Sequence, residues 1–272
     1  VERVKDKLGQ LEVRPSKERG QNFIIAPQII DLIVEFGQVS SSDTIVEIGP
    51  GLGALTQVLS RNPKLTLIEI EPAFCRALRE RYPLAHVIEA DVRSVDFSKL
   101  GQDLVVFGNL PYSYSTDILF HLIDASSSIK RAVFMLQREF AERVAADPGS
   151  KAYGVLSVNA QLQADMRLGP IIPGNSFHPP TQVESRLIEL TFLKEPKIKL
   201  DDIAWFKRVV KSSFSQRRRQ LHNSLKGSHI VAADEIAPAL AEAGIEGSRR
   251  AETLSLGEFG KLAAALAKRK PA

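Results

Sequence analysis

Cysteine is nearly absent: the chain of 272 residues has one, Cys75. That excludes an intramolecular disulfide framework and any cysteine-rich zinc site. Cys75 lies in a helix-like run and is expected in a core. Long apolar runs are missing as well. None approaches the ~20 residues of a membrane-spanning helix, and no basic segment followed by an apolar core opens the sequence as a secretory signal would. The expectation is a soluble protein in a reducing, cytoplasmic setting, with no membrane partner. No His, Cys and carboxylate group has ligand spacing, so no metal is expected. There is no internal repeat and no low-complexity segment. A long exposed apolar stretch is also lacking, which makes a monomer the default.

What is present is a globular composition, 44% apolar. The net charge of +4 is unevenly spread. Residues 1–193 hold 20 Lys+Arg against 23 Asp+Glu, a net of −3, whereas residues 194–272 hold 16 against 9, a net of +7. A basic C-terminal part on a mildly acidic body points to a polyanion partner; a solvated Lys- and Arg-rich helical face gives the same asymmetry. Residues 1–21 are polar and patchily basic and read as a flexible arm.

Strand and helix patterns then alternate. Short apolar runs at 44–48, 65–70, 86–91, 103–108 and 132–136 read as strands. Helical patterns separate them: one begins at Pro27 and stops near Gly37, another begins at Pro72, and a third is capped by Ser115 or Thr116. Such alternation is the signature of a mostly parallel sheet covered by helices. Residues 154–164 read as a helix, 166–172 as a weak strand broken by Gly169-Pro170, and 186–193 as a last strand. Phe177 to Val183 holds two consecutive prolines and reads as a loop. Lys194-Glu195-Pro196-Lys197 is the candidate boundary. Beyond it only helical spacing appears, at Trp205–Phe214, 232–243 and 255–268.

Two stretches carry chemistry. Gly49-Pro50-Gly51-Leu52-Gly53-Ala54 follows a strand and opens a helix. Gly49, Gly51 and Ala54 satisfy a dinucleotide pattern, with Glu69 at the next strand end placed for ribose hydroxyls. NAD and S-adenosylmethionine both fit those contacts. Asp91, at the third strand end, is placed to accept from an adenine amino group. Gln21, Asn22 and backbone near Gly49 offer polar neighbours for a methionine moiety. The second stretch is Asn109-Leu110-Pro111-Tyr112, at the end of a buried strand. Pro111 biases Leu110 to an extended conformation. Two carbonyl oxygens and an aromatic face there suit a planar amine such as adenine N6.

Together the motifs resemble one family, the KsgA-type small-subunit (16S) rRNA adenine dimethyltransferases. The matching stretches are Gly20-Gln21-Asn22-Phe23, Glu47 to Gly53, Glu69, Asp91, Asn109 to Tyr112, Phe177 to Ser185 and Phe214 to Arg219. Ile24 stands where the family more often has Leu. The resemblance implies an α/β fold: a Rossmann-like class I methyltransferase sheet, mostly parallel with the last strand antiparallel, then a small all-helical C-terminal domain. The expected layout is an arm over 1–21, a methyltransferase domain over 22–194 and a helical RNA- and ribosome-binding domain over 195–272. It implies S-adenosylmethionine held by Asn22, Ile24, Gly49, Glu69, Asp91 and Asn109, to which the residues' own chemistry adds Gln21 and Gly51 as cofactor-binding candidates. It also implies N6,N6-dimethylation of two adjacent adenosines in a hairpin loop near the 3′ end of small-subunit rRNA, within an assembling subunit.

Asn109, Leu110, Pro111, Tyr112 and Phe177 are the expected catalytic residues, with the rings of Tyr112 and Phe177 stacking on the target adenine. Arg217, Arg218, Arg219 and Lys226 are expected on RNA phosphates, with Arg138, Arg143 and Lys151 extending the track. The competing readings are an Erm-type large-subunit rRNA methyltransferase, a non-catalytic assembly factor on the same fold, and an NAD-dependent dehydrogenase.

Overall fold

The computed structural model describes residues 2–13, 22–111, 113–216 and 218–270. Gln21, Tyr112 and Arg217, singled out above, lie outside them.

Seven strands form the main sheet: β1 (Thr44–Ile48), β2 (Leu65–Glu69), β3 (His86–Glu89), β4 (Leu104–Asn109), β5 (Ile129–Gln137), β6 (Ala164–Ile172) and β7 (Ser185–Phe192). Their spatial order is β3-β2-β1-β4-β5-β7-β6. The first five neighbours pair in parallel, and β7 pairs antiparallel with β5. Leu104 to Phe107 are fully buried, as an inner parallel strand requires. β6 runs through Gly169-Pro170 without a break. It lies at the sheet edge, the place where a strand tolerates proline because half of its N–H groups face away from any neighbour.

Strand order reverses between β1 and β4, the point where open α/β sheets bind ligands. The register sets Ile48 opposite Gly108. The glycine-rich turn and Asn109 therefore leave the sheet side by side. Gly108 is small for a reason: a Cβ there would lie 3.0 Å from the Ile48 carbonyl oxygen and 3.0 Å from Leu110 Cδ2.

Several expectations are corrected. The loop at Phe177 begins as a strand: Phe177–His178 pairs antiparallel with Phe23–Ile24 in a separate two-stranded ribbon. Residues ahead of the prolines keep their ladder donors, which periodicity did not weigh. The start of the expected flexible arm is a helix, Glu2–Gln10, held by Leu8 in the first unit's core. Helix Ser115–Asp124 is not capped by Ser115 or Thr116; Tyr114 holds the N-cap position. Ser115 Oγ instead donates to the Pro111 carbonyl at 2.9 Å, tying the helix to the preceding turn.

The chain divides into two compact units, residues 1–141 with 165–194, and residues 142–164 with 195–272. A contiguous 22–194 domain is thus corrected. Helix Val155–Gln163 packs with the C-terminal helices because its apolar side chains find their partners there. Tyr153, Val158 and Leu162 share a buried cluster with Trp205, Phe206 and Phe259. Among the described residues no helix is long and apolar enough to cross a membrane.

Gly108→Ala is expected to lower stability by about 1–3 kcal/mol, the usual cost of overpacking a closed site. Chemical denaturation measures it, and a wild-type midpoint contradicts the close approach of β1 and β4.

Candidate active site

The first unit carries a cavity of about 590 Å³ at the carboxyl ends of β1, β2 and β4. That is a volume typical of small-molecule sites, roughly 300–1,000 Å³. Asn22, Ile24, Gly49, Gly51, Glu69, Asp91, Asn109 and Pro111 all line it. The residues expected to bind a cofactor therefore converge, apart from Gln21, which lies outside the described residues.

The turn after β1 needs its glycines. Gly49 has φ +66° and Gly51 φ +54°, in the left-handed region. A Cβ on Gly49 would meet nothing within 4 Å, so a ligand has open access to its backbone. The Gly51 N–H donates to Glu69 Oε2 at 3.0 Å. Glu69 Oε1 accepts from the N–H groups of Ile70 and Glu71, both at 2.9 Å. Burial pushes the Glu69 carboxyl upward in pKa, against these three backbone donors. A carboxylate has roughly four acceptor positions, so about one remains for a ribose hydroxyl.

Glu47, on β1, completes the acidic floor. It is 3% exposed, and burial pushes its pKa up to about 8. Thr56 Oγ1 donates to its Oε2 at 2.7 Å and opposes that rise, while the Glu69 charge adds to it. Two buried carboxyls at one cavity suit a ligand that brings positive charge.

Asn109 closes the far side. Its Nδ2 donates to the Asn22 carbonyl at 2.9 Å. The amide's donor end is thereby committed, and Oδ1 is the end left to accept. Pro111's carbonyl accepts from the Tyr114 N–H at 3.2 Å as well as from Ser115 Oγ, which braces the turn after Asn109.

Leu110 is 1% exposed, with its side chain in the core, which leaves untouched the role foreseen for it, that of its backbone carbonyl. One expected catalytic residue stands elsewhere. Phe177 is also 1% exposed and sits in the apolar core that includes Ile24 and Phe36. The ring anchors the Phe23–Ile24 ribbon and is corrected from stacking plate to core residue. In the second unit Arg218 and Arg219 are exposed at a turn, and Lys226 is exposed on helix Leu221–Ser228.

Sequence reasoning missed Glu47 as a site residue, and with it Thr56, Arg93 and Tyr114. A carboxylate inside a strand otherwise apolar was the available signal for Glu47. Arg93 has a less visible role. It surrounds the Asp91 carboxylate, and its hydrogen bonds hold that carboxyl below the usual range.

A family model for ribosomal RNA adenine dimethylase matches residues 14–268. The chain belongs to that family. It is 37% identical over 264 residues to the ribosomal RNA small subunit methyltransferase A of Geobacter metallireducens, covering 93% of this chain and 96% of that protein. It is 41% identical over 254 residues to the protein of the same name from Syntrophotalea carbinolica, covering 92% and 96%. A dimethyladenosine transferase from Plasmodium falciparum superposes with TM-score 0.77 at 26% identity, over 91% of this chain and 98% of that one. The 23S rRNA methyltransferase ErmE shares the fold, with TM-score 0.66 at 22% identity over 90% and 100%. The chain is an rRNA adenine dimethyltransferase, and S-adenosylmethionine is its methyl donor. The site fits that donor: an open glycine backbone, a carboxylate with an acceptor position to spare and an acidic floor for a cationic ligand. The dehydrogenase reading falls with this.

The Glu47 carboxyl predicts a pH dependence. Its pKa rises from 4.5 to about 8 on folding, so the folded state holds a proton that the unfolded chain has lost across that window. This contribution is present below pH 4.5 and vanishes as pH rises through 8. In Glu47→Gln the fall in stability between these pH values should be shallower than in wild type. Equal slopes in thermal unfolding would contradict a protonated Glu47.

Proposed function

We propose that the chain transfers methyl groups to N6 of two adjacent adenosines in a hairpin loop near the 3′ end of small-subunit rRNA. We further propose that it acts as a monomer on an assembling small subunit. The observation that carries this reading is the Asn109–Asn22 hydrogen bond, which leaves an oriented oxygen acceptor at the mouth of a cofactor-sized cavity. The names of the Geobacter and Syntrophotalea relatives support the small subunit as the substrate's source.

S-adenosylmethionine supplies an electrophilic methyl group on a sulfonium. The chain's residues do the rest. Glu69 takes a ribose hydroxyl and Asp91 the cofactor's adenine amino group. Gly49 and Asn22 offer backbone to the methionine end, and Gln21 is assigned to the same end. Glu47 and Glu69 favour the cation. On the substrate side, N6 of adenine is a weak nucleophile because its lone pair is delocalised into the ring. Asn109 Oδ1 and the Leu110 carbonyl accept its N–H groups and favour a pyramidal nitrogen aimed at the methyl. Such preorganised acceptors contribute about 3 kcal/mol each to a transition state. After the first transfer one N–H remains, and one acceptor suffices for the second. The proton of the methylated nitrogen is acidic, so no strong base is required.

Tyr112 is assigned the stacking role, worth about 1–3 kcal/mol per base. A hairpin loop already exposes its bases, so extrusion costs little. Arg217, Arg218, Arg219 and Lys226 are assigned to phosphates, where cations act with a salt-dependent affinity.

The test is methyl transfer from labelled S-adenosylmethionine to undermethylated small subunits, naked small-subunit rRNA and large-subunit rRNA, with nucleoside mass spectrometry of each product. N6,N6-dimethyladenosine confined to the small-subunit particle is the expected result. Dimethyladenosine in large-subunit RNA overturns the substrate assignment.

A further inference from the structure

Asp91 is assigned to the adenine end of the cofactor, yet its carboxylate is already occupied by the chain itself. Oδ1 accepts from the Arg93 N–H at 2.9 Å and from Arg93 Nε at 3.0 Å. Oδ2 accepts from Nε at 3.1 Å and from Nη2 at 2.6 Å. Three N–H donors of one residue thus engage both oxygens, with the single Nε–H shared between them, and about one of the roughly four acceptor positions of a carboxylate stays open. Bidentate guanidinium–carboxylate pairs are also among the stronger hydrogen-bonded contacts.

The guanidinium is held at the same time by a second set of contacts. It lies over the Tyr114 ring, 4.7 Å from the centroid, and Nη1 is 3.6 Å from Asp117 Oδ2. Asp91, Arg93 and Tyr114 all line the cavity. Aromatic face and second carboxylate stabilise the cation if it leaves Asp91. Tyr114 is the N-cap of helix Ser115–Asp124 and Asp117 lies in its first turn, directly after the turn that follows Asn109.

We propose that Arg93 is a positioning residue that competes with the cofactor's adenine amino group for Asp91, so that cofactor entry breaks the Asp91 contacts while Tyr114 and Asp117 keep hold of the guanidinium. This rests on the assignment of Asp91 to adenine. Its consequence is a self-limited affinity. The binding-competent state is the fraction of molecules in which the clasp is open, and apparent affinity falls by that fraction. The clasp re-forms once adenine has left, which opposes rebinding of the product S-adenosylhomocysteine. A residue that only oriented Asp91 for adenine would act in the opposite direction.

The experiment is calorimetric and stopped-flow binding of S-adenosylhomocysteine to wild type, Arg93→Met, Arg93→Lys and Asp91→Ala, each checked for wild-type circular dichroism. Arg93→Met is expected to bind about three- to tenfold tighter than wild type, through faster association. Arg93→Lys has a single point charge that cannot span both oxygens, so it should fall between the two. Asp91→Ala should bind more weakly than wild type. Unchanged or weaker binding in Arg93→Met, with Asp91→Ala impaired, overturns the clasp alone. Wild-type affinity in Asp91→Ala overturns the adenine assignment and the clasp with it.

Discussion

The hydrogen bond from Asn109 Nδ2 to the Asn22 carbonyl is the contact on which the site depends. It joins residues 87 apart in sequence, one at the end of β4 and one just before the Phe23–Ile24 ribbon. It decides which end of the amide faces the substrate. Everything upstream serves to place those two residues. The parallel register of β1 with β4 brings Asn109 beside the glycine turn. The ribbon with Phe177–His178 holds the segment that supplies the Asn22 carbonyl. Buried Phe177 fixes that ribbon, so a ring expected at the substrate acts one step back, on the backbone that orients Asn109.

The second theme is charge held out of water. Glu47 and Glu69 are both buried and both pushed towards their neutral forms. Without a ligand this is a cost to folding, met in part by Thr56 and by three backbone N–H groups. A cationic cofactor reverses the sign, because opposite charge favours the ionised carboxylate. Asp91 meets the same problem differently, at the rim, by taking a guanidinium from two residues away. One cavity thus holds its acidic groups ready by three devices: protonation, backbone donors and an internal cation.

Much of the fold was legible because the buried strands are apolar runs whose ends carry the functional residues. β1, β2 and β4 follow from their own composition, and Glu69 and Asn109 fall at their ends. What was not legible depends on contacts distant in sequence. Gly169-Pro170 looks like a break until β6 is known to be an edge strand. Val155–Gln163 looks like part of a continuous domain, because no local pattern says that its partners are Trp205 and Phe259. Phe177 beside two prolines reads as an exposed ring, and only the ribbon pairing shows it buried. The Arg93 clasp is local, but a sequence shows neither rotamers nor which acceptor sites of Asp91 are filled.

The most direct measurement of the central claim is the single-turnover rate of methyl transfer by wild type, Asn109→Asp and Asn109→Ala, at saturating S-adenosylmethionine on undermethylated small subunits. If Asn109 Oδ1 is the oriented acceptor, Asn109→Ala loses about 100-fold or more in the chemical step, the scale of removing one preorganised partner. Asn109→Asp keeps an acceptor but loses the donor to Asn22, so its rate should lie between. Cofactor affinity should change far less than rate in Asn109→Ala. A wild-type single-turnover rate in Asn109→Ala, or a loss confined to cofactor binding, would contradict the account.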